Sequence, residues 1–289
     1  MWSTAFRLTW FISKQSLRKF FADNGPIWAS ALAFDLLLYS IPLSLLFISA
    51  LGYTVLGSER ALSDVSAVAE RLLPTSHQTF MGNLSHIVAN RGPLGLAGFV
   101  MFFVLSSAVF STVRVVLNRV FEVQRPRSFL KGKGRDFVVM LVAAALLILI
   151  LGTSWLLTIF RGFAERLPIL APLLQPGWVI AGRLVGFLFT MSLFYALYRF
   201  CPARILHRGS LLLAALVGAG LFELSKLAFT WYVVFAQANV ALYGALGGFI
   251  FFFLWLYYAS TVFIVGAEVG WSYEQASTKA DTPAIIRTS

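Results

Sequence analysis

From Ala245 to Ala267 the chain carries no charged residue. About 20 apolar residues are enough to cross the hydrocarbon core of a bilayer, and a helix in a soluble core rarely needs that length. The stretch YGALGGFIFFFLWLYYASTVFIVGAEVGWSYE, Tyr243 to Glu274, therefore reads as a membrane-spanning helix. It has a glycine-rich entry at Gly244, Gly247 and Gly248 and a lone carboxylate, Glu268, at its exit. The rings of Trp271 and Tyr273 just beyond fit an aromatic anchor at the membrane interface.

Composition extends this reading to the whole chain. Of 289 residues, 59% are hydrophobic and 12% charged, which places the chain among integral membrane proteins. The formal charge of +11 would suggest a nucleic-acid partner in a soluble protein. Its distribution gives a different account, because the basic residues gather in loops flanking apolar runs. A single cysteine, Cys201, excludes an intrachain disulfide and any cysteine-based metal site. The amino terminus is basic but lacks a clean apolar core followed by a small-residue cleavage site, so no removable signal peptide is expected.

Residues 1–27 alternate aromatic and basic positions, Trp2, Phe6, Trp10 and Phe20 against Arg7, Lys14, Arg18 and Lys19. This predicts an amphipathic helix on the cytoplasmic leaflet, its rings at headgroup depth and its cations on anionic lipid. Asn24, Gly25 and Pro26 break it. A transmembrane domain over 28–272 follows, with spans expected at about 28–57, 94–121, 136–160, 178–200, 209–235 and 243–271, and a flexible tail over 273–289. Pro42 is expected to bend the first span. The segment 58–93 keeps helical periodicity at Leu62, Val65, Ala69 and Leu72 and again at Phe80, Leu84 and Ile87, which predicts two short amphipathic helices broken at Pro74. Pro168, Pro172 and Pro176 argue against a long regular helix between Arg161 and Gly177. The short uncharged link AQANVAL joins the fifth span to the sixth, which predicts that the two are neighbours. Basic residues concentrate in the amino-terminal segment, in the loop Arg125–Arg135 and around Arg204 and Arg208, all on one side of a six-span topology. The positive-inside rule then places both termini in the cytoplasm.

Ionisable groups inside a span are costly and need a partner or water. Glu223 and Lys226 are three apart on the fifth span, so they share a face, near or past the bilayer midplane. They read either as a substrate or proton site or as a self-neutralising pair. Asp35 and Arg114 each lie about 10 Å from the same end of antiparallel spans, so they could meet as a clasp or a gate. Glu268 either snorkels to the interface or pairs with Arg119 or Arg208. Glycines Gly218, Gly220, Gly244, Gly247 and Gly248 permit close helix approach.

Enzyme chemistry is poorly represented. The three histidines, His77, His86 and His207, form no HxxxH pattern, and there is no CxxC pair. KGKGR and YGALGG lack the strand–turn–helix setting and the Lys-Ser/Thr ending of a nucleotide loop. No serine lies in a nucleophile-elbow pattern. No metal and no cofactor is expected.

Three stretches resemble the YihY/BrkB family of bacterial inner-membrane proteins, once labelled ribonuclease BN. These are ALAFDLLLYSIPL, STVRVVLNRVFEVQRPRSF, and GLFELSKLAFTWYV through ALYGALGGFIFFFLWLYYASTVFIVGAEV. The resemblance covers most of the chain and implies six helices with cytoplasmic termini. It also implies a multi-pass place in the bacterial cytoplasmic membrane and a role in envelope lipid handling or solute movement. The expectation is thus an all-α, six-span, N-in/C-in membrane protein that moves a lipid or small solute. Its expected partners are membrane lipids and that substrate, not nucleic acid, and homo-oligomers are compatible with this picture. The rival is a non-transporting structural or assembly factor of the envelope, and a more remote one is a membrane-embedded hydrolase or nuclease.

Overall fold

A computed structural model describes residues 2–54, 91–124, 134 and 171–281. Among them every regular element is an α-helix: α1 (Trp2–Ala22), α2 (Gly25–Thr54), α3 (Arg91–Val120), α4 (Ala171–Phe200) and α5 (Arg208–Asp281). Five stretches are long and apolar enough to cross a membrane, Gly25–Leu46, Gly95–Val120, Ile180–Phe200, Arg208–Tyr232 and Gly247–Thr278. The span expected at 136–160 and the short helices expected within 58–90 lie outside the described residues.

Two boundaries differ from expectation, each for a local reason. The prolines of 168–176 do not keep the chain irregular up to Gly177, since α4 already begins at Ala171. Pro172 sits in the first turn, where a backbone N–H would have no intrahelical acceptor, and Pro176 forfeits one further bond. The link AQANVAL likewise remains helical within α5. The 74 residues of that helix would measure about 110 Å if straight. It doubles back instead, because residues near 214 pack against residues near 270. The two apolar runs of α5 are therefore antiparallel limbs of one hairpin, the pairing expected of the fifth and sixth spans.

The described residues form two compact units, one from Met1–Phe34 with Phe110–Ser289 and the other from Asp35–Val109. The first is organised by the α5 hairpin. A Cβ on Gly266 would lie 2.9 Å from Gly218 Cα and 3.1 Å from the Ala214 carbonyl, and one on Gly270 would lie 2.6 Å from Ala214 Cβ. Small residues thus bring the limbs to backbone contact. Away from this crossing the limbs are spaced by rings, Phe222 and Phe229 against Trp255 and Tyr232 against Phe251. α4 closes the crossing with Tyr198, which is wholly buried and stacks on Phe263 at 5.0 Å. Its hydroxyl donates to the Phe263 carbonyl at 2.6 Å. Tyr198→Phe keeps the ring and loses this bond, so a modest drop in thermal stability, about 1 kcal/mol, is expected in detergent melting experiments.

In the second unit, helices α2 and α3 meet through small residues as well. Gly95 faces Ser49, and a Cβ on Gly98 would lie 3.0 Å from Leu45 Cβ. Tyr39 and Phe102 pack at 5.2 Å. Pro42 is fully buried inside α2.

Candidate functional site

The polar residues of the first unit converge where four chain segments end together. α1 presents Ile12, Ser16 and Phe20, spaced four apart, as its buried stripe. Ser16 Oγ lies 3.0 Å from Ser272 Oγ and 2.7 Å from the Ile12 carbonyl. The docked stripe turns Lys19, one turn on, into the protein. Its ammonium sits 3.2 Å from Glu268 Oε2, donates to the Val120 carbonyl at 2.9 Å and reaches Asp23. The contacts to Asp23 and the Val120 carbonyl are hydrogen bonds, whereas that to Glu268 is an ion pair. The same ammonium lies 4.4 Å from the centre of the Trp271 ring, a cation–π contact. Glu268 is 0% exposed and Lys19 is 10% exposed. A carboxylate so deep is tolerable only because an ammonium is buried with it. Val120 closes α3, so Lys19 also caps the carbonyl end of that helix.

Two more links fasten this end. Asn118 Oδ1, two residues before the end of α3, accepts from Ala203 N at 2.8 Å and so ties down the turn after α4. Glu274 accepts from His207 N at 3.1 Å and from the Ser210 hydroxyl, placing a carboxylate at the N-terminus of α5. Sequence reading passed over Lys19, Asn118 and Glu274 as individual residues. The aromatic–basic alternation assigns Lys19 to the headgroup-facing cations and Phe20 to the headgroup-depth rings, whereas Phe20 is buried and Lys19 is largely covered; Trp10, Phe11, Leu17 and Phe21 form the exposed face of α1. The only signal for the reversal was the four-residue spacing of Ile12, Ser16 and Phe20.

The expected site residues are distributed as follows. Glu268 is paired with Lys19 rather than with Arg119 or Arg208, and it does not snorkel, because α1 covers it. Arg119 faces Asp23 at 3.7 Å. Glu223 and Lys226 pair within α5 at 2.5 Å and remain 31% and 41% exposed. Arg114 donates to Ser111 Oγ one turn back at 3.3 Å. Asp35 lies in the second unit and Arg114 in the first. Gly218 lies at the limb crossing, whereas a Cβ on Gly220 or Gly248 would meet nothing within 4 Å among the described residues. Gly247 is buried, and Gly244 lies in the helical stretch between the two limbs.

Beside the ion cluster, a cavity of about 610 Å³ is lined by Asp23, Trp28, Val115, Asn118, Arg119, Glu122, Val123 and Gln124. It lies where two helices end. The chain leaves α1 through Asn24, φ 59°, and α3 through Glu122, φ 51°. At the second, Val123 N donates to the Asn118 carbonyl at 2.9 Å and Glu122 N to the Arg119 carbonyl at 3.1 Å. That is the Schellman arrangement, with glutamate in the left-handed position that glycine usually takes. Among the described residues no group of three or more His, Cys, Asp or Glu is gathered so as to hold a metal. The chemistry on offer is charge recognition where these helices end together.

Comparison with known proteins identifies the family. The family model described as virulence factor BrkB matches residues 16–285. A UPF0761 membrane protein of Pseudoalteromonas atlantica is 26% identical over 252 residues, covering 86% of this chain and 80% of the relative. Its counterpart in Chlorobium chlorochromatii is 29% identical over 249 residues, covering 85% of this chain, and that of Vibrio atlanticus is 24% identical over 278 residues. The chain spans just over half the length of several of these curated relatives, 56% for the Chlorobium protein and 52% for one from Halorhodospira halophila. No solved structure matches the chain significantly. With a family model spanning nearly the whole sequence and helices long enough to cross a membrane, the chain belongs to the BrkB family of multi-pass membrane proteins.

Proposed function

We propose that this protein moves a lipid or small solute across the bacterial cytoplasmic membrane, using six spans with both termini inside. The observation that carries this reading is the Glu223–Lys226 pair. It lies about 22 Å along a span that begins at Arg208 and is partly exposed rather than sealed in the bundle. Charges at that depth are costly unless they face water, protein or a passing polar group. A pair with open sides can exchange its internal partner for a polar substrate. The orientation is supported by the end of the first unit where α1, the end of α3, the turn after α4 and the end of α5 converge. That end carries the basic segments, which the positive-inside rule assigns to the cytoplasm. On this reading the protein performs no bond chemistry.

Reconstitution in liposomes with labelled lipids and small solutes tests the proposal. Wild-type protein is expected to move at least one class, and Glu223→Gln or Lys226→Met to slow it about tenfold, a change of roughly 1.4 kcal/mol in barrier, at unchanged folded yield. A second reading, a non-transporting assembly factor of the envelope, is favoured by the sealed Lys19–Glu268 pair, which holds segments together and faces no pathway. No movement of any candidate by folded wild-type protein, together with specific retention of an envelope protein, would establish that reading instead.

A further inference from the structure

We infer that the cavity between the ends of α1 and α3 is a binding site for a zwitterionic phospholipid headgroup, a phosphodiester carrying a primary ammonium. The inference rests on the lipid branch of the reading above and gives it a substrate class.

The charges of the cavity run against those of the chain. In a protein of formal charge +11, the ionisable lining groups are Asp23, Glu122 and Arg119, two negative and one positive, for a net charge of −1. The carbonyl ends of two helices meet there, and helix C-termini carry partial negative charge. Trp28 adds an aromatic face, which attracts a cation. Asp23 is already shared with Lys19, which also caps α3, so an added ammonium is favoured first by the Glu122 carboxylate and the Trp28 ring, with Asp23 as a shared second carboxylate. Arg119 supplies the complementary half. Its side chain is 58% exposed, and its Nε stands 3.7 Å from Asp23, too far for a tight hydrogen bond. It retains guanidinium donors for a phosphate. Asn118 uses its Oδ1 on Ala203, which leaves its amide N–H groups as further donors on the cavity wall. Opposite charges side by side in one cavity match an ammonium and a phosphate a few bonds apart. The location fits as well, because a cavity at the end of a membrane-crossing helix lies at headgroup depth.

Glu122 gives an independent indication. A non-glycine residue at φ 51° is strained, and a helix end of this form would be cheaper with glycine. The strain is understandable if the carboxylate is needed where that backbone puts it. This also supplies a variant that separates binding from folding. Glu122→Gly relieves the backbone and removes the charge, so the variant should melt no lower than wild type.

The experiment is native mass spectrometry of the full chain in detergent with matched short-chain phosphatidylethanolamine and phosphatidylglycerol, and with soluble phosphoethanolamine. Wild type is expected to hold phosphatidylethanolamine in preference to phosphatidylglycerol. Glu122→Gly and Glu122→Gln are each expected to weaken that binding about tenfold, the scale of one charge-assisted hydrogen bond, without lowering the melting temperature. Competition by soluble phosphoethanolamine would assign recognition to the headgroup alone, and lack of competition would assign it to headgroup and chains together; either agrees with the site. Equal retention of both lipids by wild type, or unchanged binding in a folded Glu122→Gly protein, would overturn it. Failure here is distinguishable from failure of the transport reading. Lipid movement that ignores headgroup and the Glu122 variants removes the site and leaves transport, whereas selective binding without movement does the reverse.

Discussion

Lys19→Ala is expected to remove most of the folded protein. The ammonium is the cation held against Glu268, a carboxylate with no solvent exposure, and it also caps the carbonyl end of α3. Removing one member of a buried ion pair leaves the other uncompensated, at about 3–5 kcal/mol. That is a large part of the 5–15 kcal/mol by which domains are commonly stable. The protein therefore should melt far lower in detergent and elute mostly as aggregate. Glu268→Gln, which removes the buried charge and keeps a polar group of the same shape, should be milder. The double variant Lys19→Met/Glu268→Leu fills the space without charge and should recover much of the loss, since apolar replacement of a buried pair is often neutral or stabilising. A Lys19→Ala protein that melts with wild type would mean that α1 does not depend on this contact for docking.

Gly266→Ala is expected to cost about 1–3 kcal/mol, the usual effect of an added methyl group in a filled core. The new Cβ would sit 2.7 Å from the Tyr198 hydroxyl, 2.9 Å from Gly218 Cα and 3.1 Å from the Ala214 carbonyl. Two of those three neighbours are backbone, so relief requires the limbs of α5 to move apart. Gly248→Ala is the control. Nothing stands within 4 Å of its added methyl among the described residues, and alanine is the better helix former, so its stability should hold or rise slightly. Melting both variants side by side separates packing from helix propensity. Equal behaviour would show that the limbs are not held at the Gly218–Gly266 crossing.

These two variants mark where the sequence stopped being informative. Length and hydropathy alone located the five apolar stretches of membrane length among the described residues and predicted that the runs around Leu216 and Phe253 are neighbours, because a short uncharged link leaves them nowhere else to go. The helical signal is local, so it survives without knowledge of the tertiary fold. The glycines show its limit. Of the glycines expected to permit close approach, Gly218 lies at the crossing, whereas a Cβ on Gly220 or Gly248 would meet nothing within 4 Å among the described residues; the other glycines of the crossing, Gly266 and Gly270, carry no such mark in the sequence. Which small residue lies at a crossing depends on the register between helices, and no single helix encodes that.

The charges divide in the same way. Glu223 and Lys226 were recognisable as a pair because a helix brings residues three apart together. Membership in the BrkB family was likewise legible, being carried by stretches of sequence. The sequence by itself thus determined the class of protein, the position of its apolar helices and the contacts made within one turn. Only the tertiary structure decided that Glu268 is met by Lys19, almost the whole chain away, that Asn118 and Glu274 bind the turn between α4 and α5, and that Asp23, Trp28 and Glu122 surround one cavity. The physical reason is that burial in a bilayer is set by local hydrophobicity, whereas the partner of a buried charge is set by which helix ends are brought together.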